Sequence, residues 1–266
     1  MTTYLMEHPL EAERLELKTR REKILEELKL VPLSPGMEVL DVGCGTGAVT
    51  RILAERVSPG NVLGIDLSGE RLSVARELAE EQGVSNVEYL RADVRDLDLE
   101  AKKFDLAYSR CLFQYLPGQA GMDTLAGMKR LVRPGGTVTV ADLDGNHLYR
   151  YPLDEEWKRI LEKLLGQIQE TGFDAFVGRK LYSMFRKIGL QDIQVNILPY
   201  YLIAGGADPT TLRVWEMKMQ ILAEIFEKIF GSAQKARDLS ERFIEDLRNE
   251  DMLFYNFLFL VQGRAR

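Results

Sequence analysis

Three glycines at alternate positions, Gly43, Gly45 and Gly47, follow an apolar run whose last residues include Asp41. The run predicts a buried strand that leads through a tight turn into a helix. Glycine is needed in such a turn because the backbone bends sharply and a ligand must approach it without a Cβ atom in the way. We therefore expect a ligand site at the end of the first strand.

The carboxylate of Asp41 indicates the charge of that ligand. A turn that binds a pyrophosphate through backbone amides and a helix N-terminus gains nothing from an acid at the end of the strand. A cationic ligand does gain from it. S-adenosylmethionine fits, because a carboxylate can bind its methionyl ammonium while the glycines admit its ribose and its amino-acid portion.

Strands and helices alternate from residue 37 to residue 142. The predicted elements are strand 37–42, helix 46–57, strand 61–66, helix 69–82, strand 86–91, a short helix near 97–102, strand 104–109, helix 119–132 and strand 136–142. This alternation predicts a parallel sheet with helices on both faces, whose ligands bind outside the carboxyl ends of the strands. The polar residues expected at those ends are Asp41, Asp66, Asp93, Ser109 and Asp142.

The order of these motifs resembles that of the class I S-adenosylmethionine-dependent methyltransferases. The second strand ends in Asp66, the third runs into Asp93 and Val94, and residues 131–140 match the helix end, glycine turn and fifth strand of that family. One glycine-rich turn is a weak signal, but five ordered elements with acids at the strand ends are a strong one. The resemblance implies an α/β fold with a Rossmann-like, doubly wound sheet of seven strands, the last antiparallel.

The resemblance also implies which residues bind S-adenosylmethionine. Asp66 matches the acid that binds the ribose hydroxyls, Asp93 would accept from the exocyclic amine of the adenine, and the amide of Val94 would face a ring nitrogen. Tyr4 and Arg14 are lid candidates, because related enzymes fold an N-terminal aromatic residue and a helix over the cofactor. The predicted cofactor site comprises Tyr4, Arg14, Asp41, Gly43, Cys44, Gly45, Asp66, Leu67, Arg71, Asp93, Val94, Ser109 and Arg110.

A dinucleotide-binding turn is the alternative, because it also has glycines followed by an acid at the end of the next strand. The separation of Gly47 from Asp66 is compatible with it. Two features argue against this alternative. The three glycines stand at alternate positions, whereas a dinucleotide-binding turn has a wider gap before its third glycine, and Asp41 precedes them.

Charge and cysteine content limit the possible partners and location of this chain of 266 residues. Its net charge of −6 disfavours non-specific binding to nucleic acid. Its two cysteines, Cys44 and Cys111, do not resemble a disulfide framework, which fits a reducing compartment. The sequence has no recognisable signal peptide and no apolar stretch long enough to span a bilayer. We therefore expect a cytoplasmic protein with no membrane partner.

Residues 10–29 carry regularly spaced apolar side chains among many charges, which predicts one amphipathic helix. The basic residues of this helix, Lys18 among them, alternate with glutamates, so we interpret them as a solvated, salt-bridged face. Residues 1–30 are accordingly predicted to form an N-terminal helical lid.

The last part of the chain departs from the simplest arrangement of the family, in which a hairpin joins the final two strands. The predicted elements are helix 154–171, helix 179–188, strand 190–198, helix 208–230 starting at Asp208, helix 232–250 and strand 254–263. The two helices between the last strands are expected to pack as a cap over the cleft. Most large apolar side chains of residues 215–230 are expected to serve core packing, and a few, Trp215 and Met219 first, to face the acceptor. The predicted units are a lid of 1–30, a core of 31–200 plus 251–266, and a cap of 201–250.

Methyl transfer from a sulfonium is an in-line displacement, so an enzyme must chiefly align both partners and exclude water. A general base is needed only where the acceptor is protonated. His147, in the loop after the fifth strand, is one candidate because an imidazole can accept a proton near neutral pH. Asp144, Tyr149 and Tyr151 compete for the same role.

We therefore predict an enzyme that transfers a methyl group from S-adenosylmethionine to oxygen, nitrogen or carbon of a small metabolite under a helical cap. The alternatives are an enzyme that methylates RNA or protein, and a non-catalytic protein that binds S-adenosylmethionine. No metal is expected because clustered Cys and His are missing, although magnesium bound by Asp142 and Asp144 is left open. The pattern does not distinguish a monomer from a homodimer.

Overall fold

A mixed sheet of eight strands is the centre of the fold. The computed structural model describes residues 4–145 and 149–266. In chain order the elements are α1 (Glu11–Lys18), α2 (Arg21–Leu28), β1 (Val39–Val42), α3 (Ala48–Val57), β2 (Val62–Asp66), α4 (Gly69–Glu81), β3 (Val87–Arg91), β4 (Phe104–Arg110), a 3₁₀ turn (Phe113–Tyr115), α5 (Gln119–Leu131), β5 (Val132–Asp144), β6 (Arg150–Tyr151), α6 (Glu155–Glu170), α7 (Gly178–Lys187), β7 (Gln191–Ala204), α8 (Pro209–Phe230), α9 (Ala233–Arg248) and β8 (Leu253–Arg264).

The strands lie side by side in the order β3, β2, β1, β4, β5, β8, and both β6 and β7 pair with β8. Strands β1 to β5 are parallel to one another, whereas β8 runs antiparallel to β5. The direction of the strand order reverses between β1 and β4, and ligands of such sheets bind in the crevice at this point. The predicted doubly wound α/β fold is therefore confirmed.

Strand β6 is an eighth strand that the sequence analysis does not predict. Strand β7 pairs along β8 from Gln191, opposite Arg264, to Ala204. Strand β6 also pairs with the first residues of β8, where Arg150 lies opposite Phe254. It therefore lies on the other edge of β8, where it continues the pairing made by β5. A strand of two residues has no periodic pattern by which a sequence could reveal it.

Two helix predictions are wrong. Residues 10–29 form two helices, because Thr19 and Arg20 have ψ angles of 79° and 118° and so leave the helical conformation. At this break the Arg20 guanidinium donates to the carboxylate of Asp208, at 2.6 Å. Residues 97–102 form bends and turns instead of a helix, and Lys102 has a φ of 58°, which interrupts a helix.

Apolar clusters cover both faces of the sheet. On one face α5 and α7 pack against the strands, with Leu131 and Phe185 fully buried. On the other face α2 and α3 do the same through Ile24 and Leu53. Because both faces are packed, the carboxyl ends of the strands are held in a fixed arrangement.

A third apolar cluster joins α6, α8 and α9 beside the start of β8, and we call these three helices the helical layer. Trp215 lies against Phe243 and Phe254, with ring centroids 4.9 and 5.7 Å apart. Trp215 and Met219 are only 1% and 6% exposed, and neither lines the two cavities described below. Both side chains therefore belong to the apolar cluster, and the expected contact of either with an acceptor is not supported.

Helix α6 belongs to the helical layer although it precedes residues 201–250 in the chain. Trp157 of α6 is buried in the same cluster as the side chains of α8 and α9. The division of the chain into a lid, a core and a cap remains a prediction. None of the described helices is both long and apolar enough to cross a membrane.

Arg150 connects the sheet to the helical layer. Its guanidinium lies 4.5 Å from the ring centroid of Phe243 and 5.2 Å from that of Phe254. It donates to Asp246 Oδ2 at 2.8 Å, and Trp157 Nε1 donates to the same oxygen at 2.6 Å. Burial lowers the pKa of Arg150 to about 10, so the group stays charged at neutral pH. One carboxylate thus joins β6, α6 and α9.

We expect Asp246→Ala to lower the free energy of unfolding by about 3 kcal/mol, because the buried charge of Arg150 and the indole N–H lose a shared acceptor. The control is Glu216→Ala, which removes a more exposed ion pair with Arg248, 2.9 Å long. It should cost less than about 1 kcal/mol. Urea denaturation of both variants measures the difference, and equal losses would contradict the assignment.

Candidate active site

A cavity of about 620 Å³, here called the main cavity, lies at the carboxyl ends of the central strands. Small-molecule sites typically measure about 300–1,000 Å³. The loops after β1 to β4, the segment before α1 and the end of α6 enclose it. The predicted cofactor residues that line it are Tyr4, Asp41, Gly43, Cys44, Gly45, Asp66, Leu67, Arg71, Asp93, Val94 and Arg110.

The glycine turn after β1 forms one wall of the main cavity. Gly43 and Gly47 have φ angles of 78° and 75°, a region that side chains rarely allow. A Cβ atom on Gly43 would lie 2.9 Å from the side chain of Leu112, and one on Gly47 would lie 2.4 Å from the hydroxyl of Tyr89. A side chain at Gly43 or Gly47 would therefore be strained by the backbone conformation and would have to displace Leu112 or Tyr89.

Asp66, at the end of β2, lies opposite this turn. Its carboxylate accepts from the amide of Gly45 and from the amide of Ser68, both at 2.9 Å. The guanidinium of Arg71 donates to it at 3.2 Å. The side chain is 8% exposed and faces the main cavity. It is thus a fixed anionic acceptor at the sheet edge.

Asp41 is a second acid at the cavity wall. Thr50 Oγ1 donates to its Oδ2 at 2.7 Å, and the residue is 3% exposed. Burial, helped by the nearby charge of Asp66, raises the pKa of Asp41 to about 7, against the opposing hydrogen bond from Thr50. A cation beside this carboxyl would favour its ionised form.

The third acid, Asp93, follows β3. Its carboxylate accepts from the backbone amide and the guanidinium of Arg95, at 2.9 and 2.8 Å from Oδ1. The side-chain hydrogen bond from Arg95 lowers the pKa of Asp93. Val94 beside it is buried and lines the same part of the cavity. The three strand ends therefore present three acids to one space.

The segment before α1 crosses the main cavity and is fastened on both sides. The guanidinium of Arg71 lies 4.7 Å from the ring centroid of Tyr4 and pairs with Glu7 at 3.1 Å. The Tyr4 ring meets that of Tyr115 at 4.8 Å, and its hydroxyl donates to Glu11 at 2.9 Å. Tyr4 therefore lies where the sequence predicts a lid.

Residues 39–136 match a family described as "Methyltransferase domain". Demethylmenaquinone methyltransferase of Listeria monocytogenes is 32% identical over 210 residues, which are 74% of this chain and 84% of that protein. The chain belongs to the class I S-adenosylmethionine-dependent methyltransferases. Trans-aconitate 2-methyltransferase of Azoarcus is 36% identical over 113 residues, 42% of either chain.

Solved structures agree with this methyltransferase fold. The Bacillus subtilis YcgJ protein covers 93% of this chain and 99% of its own, with a TM-score of 0.60 and 19% identity. Haemonchus contortus phosphoethanolamine N-methyltransferase 2, in complex with S-adenosylmethionine, covers 92% of this chain and 53% of its own, with a TM-score of 0.59 and 19% identity.

The main cavity of this methyltransferase fits S-adenosylmethionine, the methyl donor of the family. Gly43 and Gly45 bring the backbone of the turn directly to the cavity wall, and Asp41 and Asp66 offer acceptors of the kind that an ammonium and ribose hydroxyls require. The role of each single residue stays a prediction.

Two predicted cofactor residues do not line the main cavity. Ser109 is fully buried inside β4, and its Oγ donates to the carbonyl of Val42 at 2.9 Å. Arg14 is turned away and makes two hydrogen bonds of 2.7 Å to Glu11. Arg110, by contrast, lines the cavity and is paired with Glu27 at 2.7 Å.

Arg14 lines a second space of about 60 Å³, here called the side chamber. It lies between α1, α6, β7 and α8, and it shares the wall residues Leu5, Lys18, Tyr115 and Phe173 with the main cavity. Lys18 therefore points inward, whereas the sequence analysis places it on a solvated face. The charge pattern of α1 could not reveal this, because the contact with α8 depends on the tertiary fold.

Of the predicted catalytic residues, Asp144 and Tyr149 line neither cavity. Asp144 is 2% exposed, and its Oδ2 accepts from the backbone amide and the Nε of Arg179 at 3.0 and 2.8 Å, at the start of α7. Tyr149 stacks on Tyr255 with ring centroids 5.4 Å apart. His147 lies outside the described residues. The positions of Asp144 and Tyr149 therefore do not support the prediction that either acts as a general base.

Asp142 is the other acid at the end of β5. It is fully buried, and its carboxylate accepts from the amides of Gln114 and Leu143 at 3.3 and 2.7 Å. Burial raises its pKa to about 7. Among residues 4–145 and 149–266, no group of three or more His, Cys, Asp or Glu is arranged to hold a metal ion.

We expect Arg71→Met to speed amide hydrogen exchange in residues 4–10 about tenfold, because an ion pair and a cation–π contact contribute roughly 0.5–1 kcal/mol each. Arg76→Met is the matched control on the same helix, since Arg76 only donates to the carbonyl of Tyr89 at 2.7 Å outside the cavity. Unchanged exchange in Arg71→Met would show that the segment is held by other contacts.

Proposed function

We propose that this methyltransferase acts on a small molecule enclosed between the sheet edge, the N-terminal segment and the helical layer. The observation that carries the proposal is the junction of the two cavities, whose shared walls would place an acceptor next to the donor. The curated relatives support a small acceptor, because their names refer to demethylmenaquinone and trans-aconitate.

Three acids of this chain would hold the donor. We assign Asp41 to the methionyl ammonium, Asp66 to the ribose hydroxyls, and Asp93 with Val94 to the adenine. S-adenosylmethionine supplies a methyl carbon made electrophilic by its positively charged sulfur. The chain's own contribution is to fix the orientation of both partners and to exclude water from the space between them. Tyr4 and the residues of the helical layer would provide that closure.

We also propose a cytoplasmic location and a lid, core and cap organisation. Both cysteines, Cys44 and Cys111, are free thiols, which suits a reducing compartment. The small volume of the side chamber, about 60 Å³, argues against RNA or a protein side chain as the acceptor. We extend the proposed cap of residues 201–250 by α6, since its side chains pack in the same cluster.

Transfer of tritium from labelled S-adenosylmethionine to a fractionated cell extract tests this function. We expect label in the small-molecule fraction and loss of at least nine tenths of it with Asp66→Asn, because one charged hydrogen-bond acceptor contributes about 1.5–3 kcal/mol. Asp98→Asn, an exposed acid outside the cavities, should behave as wild type. Label confined to protein or RNA would contradict the proposal.

The assignment of Asp41 predicts a pH dependence. Since a cation binds the ionised carboxyl, affinity for S-adenosylhomocysteine should rise as the pH increases through about 7, and Asp41→Asn should bind weakly at every pH. Calorimetry measures both affinities, and NAD serves as the comparison ligand because a dinucleotide-binding turn would bind it instead.

The contribution of the Asp41 carboxyl to the free energy of unfolding should decrease as the pH rises from 3.8 to about 7. The reason is that the carboxyl keeps its proton to a higher pH in the folded protein than in the unfolded chain.

A further inference from the structure

Lys18, the last residue of α1, lies where three spaces of the molecule meet. It borders the main cavity and the side chamber. It also borders a third space of about 30 Å³, here called the rear pocket, which lies between α1, α2, β7 and α8. Under the proposed function, donor and acceptor meet at the junction of the main cavity and the side chamber. Lys18 is therefore placed for direct contact with the acceptor.

Within residues 4–145 and 149–266, the amine of Lys18 makes no hydrogen bond and no ion pair. The two neighbouring guanidinium groups each have a carboxylate of their own. Arg14 is paired with Glu11 at 2.7 Å, and Arg110 with Glu27 at 2.7 Å. The nitrogen of the lysine is therefore available to a ligand in the main cavity.

The acids that line the main cavity are already engaged. The carboxylates of Asp41, Asp66 and Asp93 accept hydrogen bonds of 2.7, 2.9 and 2.8 Å within the protein. Glu7 pairs with Arg71 at 3.1 Å. Under the proposed function, the first three acids also receive the polar groups of the donor. The lysine at the junction is thus better placed than any of these four acids to accept a proton from the acceptor.

The rear pocket offers a route by which a proton can leave Lys18. One water molecule needs roughly 10–15 Å³, so the pocket has room for about two. Lys23 of α2 lines the same pocket, and its side chain is exposed. The pocket therefore extends from Lys18 towards the protein surface, on a side of the lysine that the main cavity does not occupy.

We propose that Lys18 is the catalytic base of methyl transfer and that its neutral amine takes the proton that the acceptor loses. The acceptor is then a molecule whose reacting oxygen, nitrogen or carbon carries a proton. This inference rests on the proposed function, because it takes the junction of the two cavities as the place where donor and acceptor meet.

The proton transfer accompanies the displacement at the methyl carbon. The reacting atom of the acceptor forms a bond to that carbon while the carbon–sulfur bond breaks, and the electron pair of the broken bond stays with sulfur. The proton of the acceptor goes to the lone pair of Lys18 Nζ. The ammonium then releases it to water in the rear pocket, so the amine is neutral again for the next turnover.

The protonation of Lys18 supports this role. Burial, together with repulsion from Arg14, lowers the pKa of Lys18 to about 8. A general base works best when its pKa lies near the working pH, because the neutral form is then populated and still basic. The titratable and charged groups that face Lys18 are Glu11, Arg14, Arg20, Lys23, Glu27, Arg110, Cys111, Tyr115, Asp142, Tyr200, Tyr201 and Lys218.

Trace labelling of amines with acetic anhydride tests the inference without any acceptor. The full chain is labelled over a range of pH, and the extent of reaction at Lys18 is measured by mass spectrometry of peptides. We expect the reactivity of Lys18 to reach its half-point near pH 8 in the folded chain. After denaturation in urea the half-point should move to about 10.4, the pKa of an unperturbed lysine. Equal half-points, or no reaction of the folded chain at any pH, would overturn the proposal.

The rate of tritium transfer to the small-molecule fraction tests the catalytic role. In the wild type this rate should rise as the pH increases through about 8. Lys18→Met should remove the rise and lower the rate at least about 100-fold, the usual contribution of a positioned base. Lys18→Arg should be equally slow, because a guanidinium keeps the charge but does not give up its proton. The control is Lys29→Met, a lysine that is 62% exposed, which should behave as wild type.

The variants and the binding of S-adenosylhomocysteine separate the possible failures. If Lys18→Met keeps the wild-type rate, the inference is overturned and the proposed function stands. If Lys18→Arg keeps it, the lysine acts through its charge and not as a base, which also overturns the inference.

Calorimetry distinguishes a role of Lys18 in donor binding. Both Lys18 variants should bind S-adenosylhomocysteine as the wild type does, and thermal unfolding confirms that they are folded. Clearly weaker binding by folded Lys18→Met would assign the lysine to the donor and contradict its role as a base. If the wild type does not bind S-adenosylhomocysteine, or labels no fraction of the extract, the proposed function itself fails.

Discussion

The carboxylate of Asp66 connects the three segments on which the donor side of the cavity depends. It accepts from Gly45 in the turn after β1, from Ser68 at the start of α4, and from Arg71, which in turn holds the N-terminal segment through Glu7. Parallel strands bring these segments together only at their carboxyl ends. The position of the main cavity is therefore a consequence of strand order, and this one acid links the segments that form its wall.

Those features could be predicted because they are local. The apolar strands, the glycines of the turn and the acid at the end of β2 each leave a signal within a few residues. The start of α8 is a further example. The sequence predicts that this helix starts at Asp208, and in the structure Asp208 caps it by accepting from the amide of Thr211 at 3.1 Å, with Pro209 in the first turn.

The rest depends on contacts between distant parts of the chain. Asp144 stands at the carboxyl end of a strand, as a catalytic acid would, but Arg179, 35 positions later, engages its carboxylate. Lys18 has the neighbours of a surface lysine along the sequence, and only the packing of α1 against α8 turns it inward. Helix α6 joins the helical layer for the same reason, since amphipathicity reveals a buried face but not its partner.

Residues 4–18 border the main cavity and, through Leu5, Arg14 and Lys18, also form a wall of the side chamber. In evolutionary terms, these two tasks share one stretch of chain. A substitution in this stretch that changes the shape of the chamber therefore also changes the wall of the main cavity. Under the proposed function, new acceptor preferences are therefore most accessible through α6, β7 and α8, which border the chamber without belonging to this stretch.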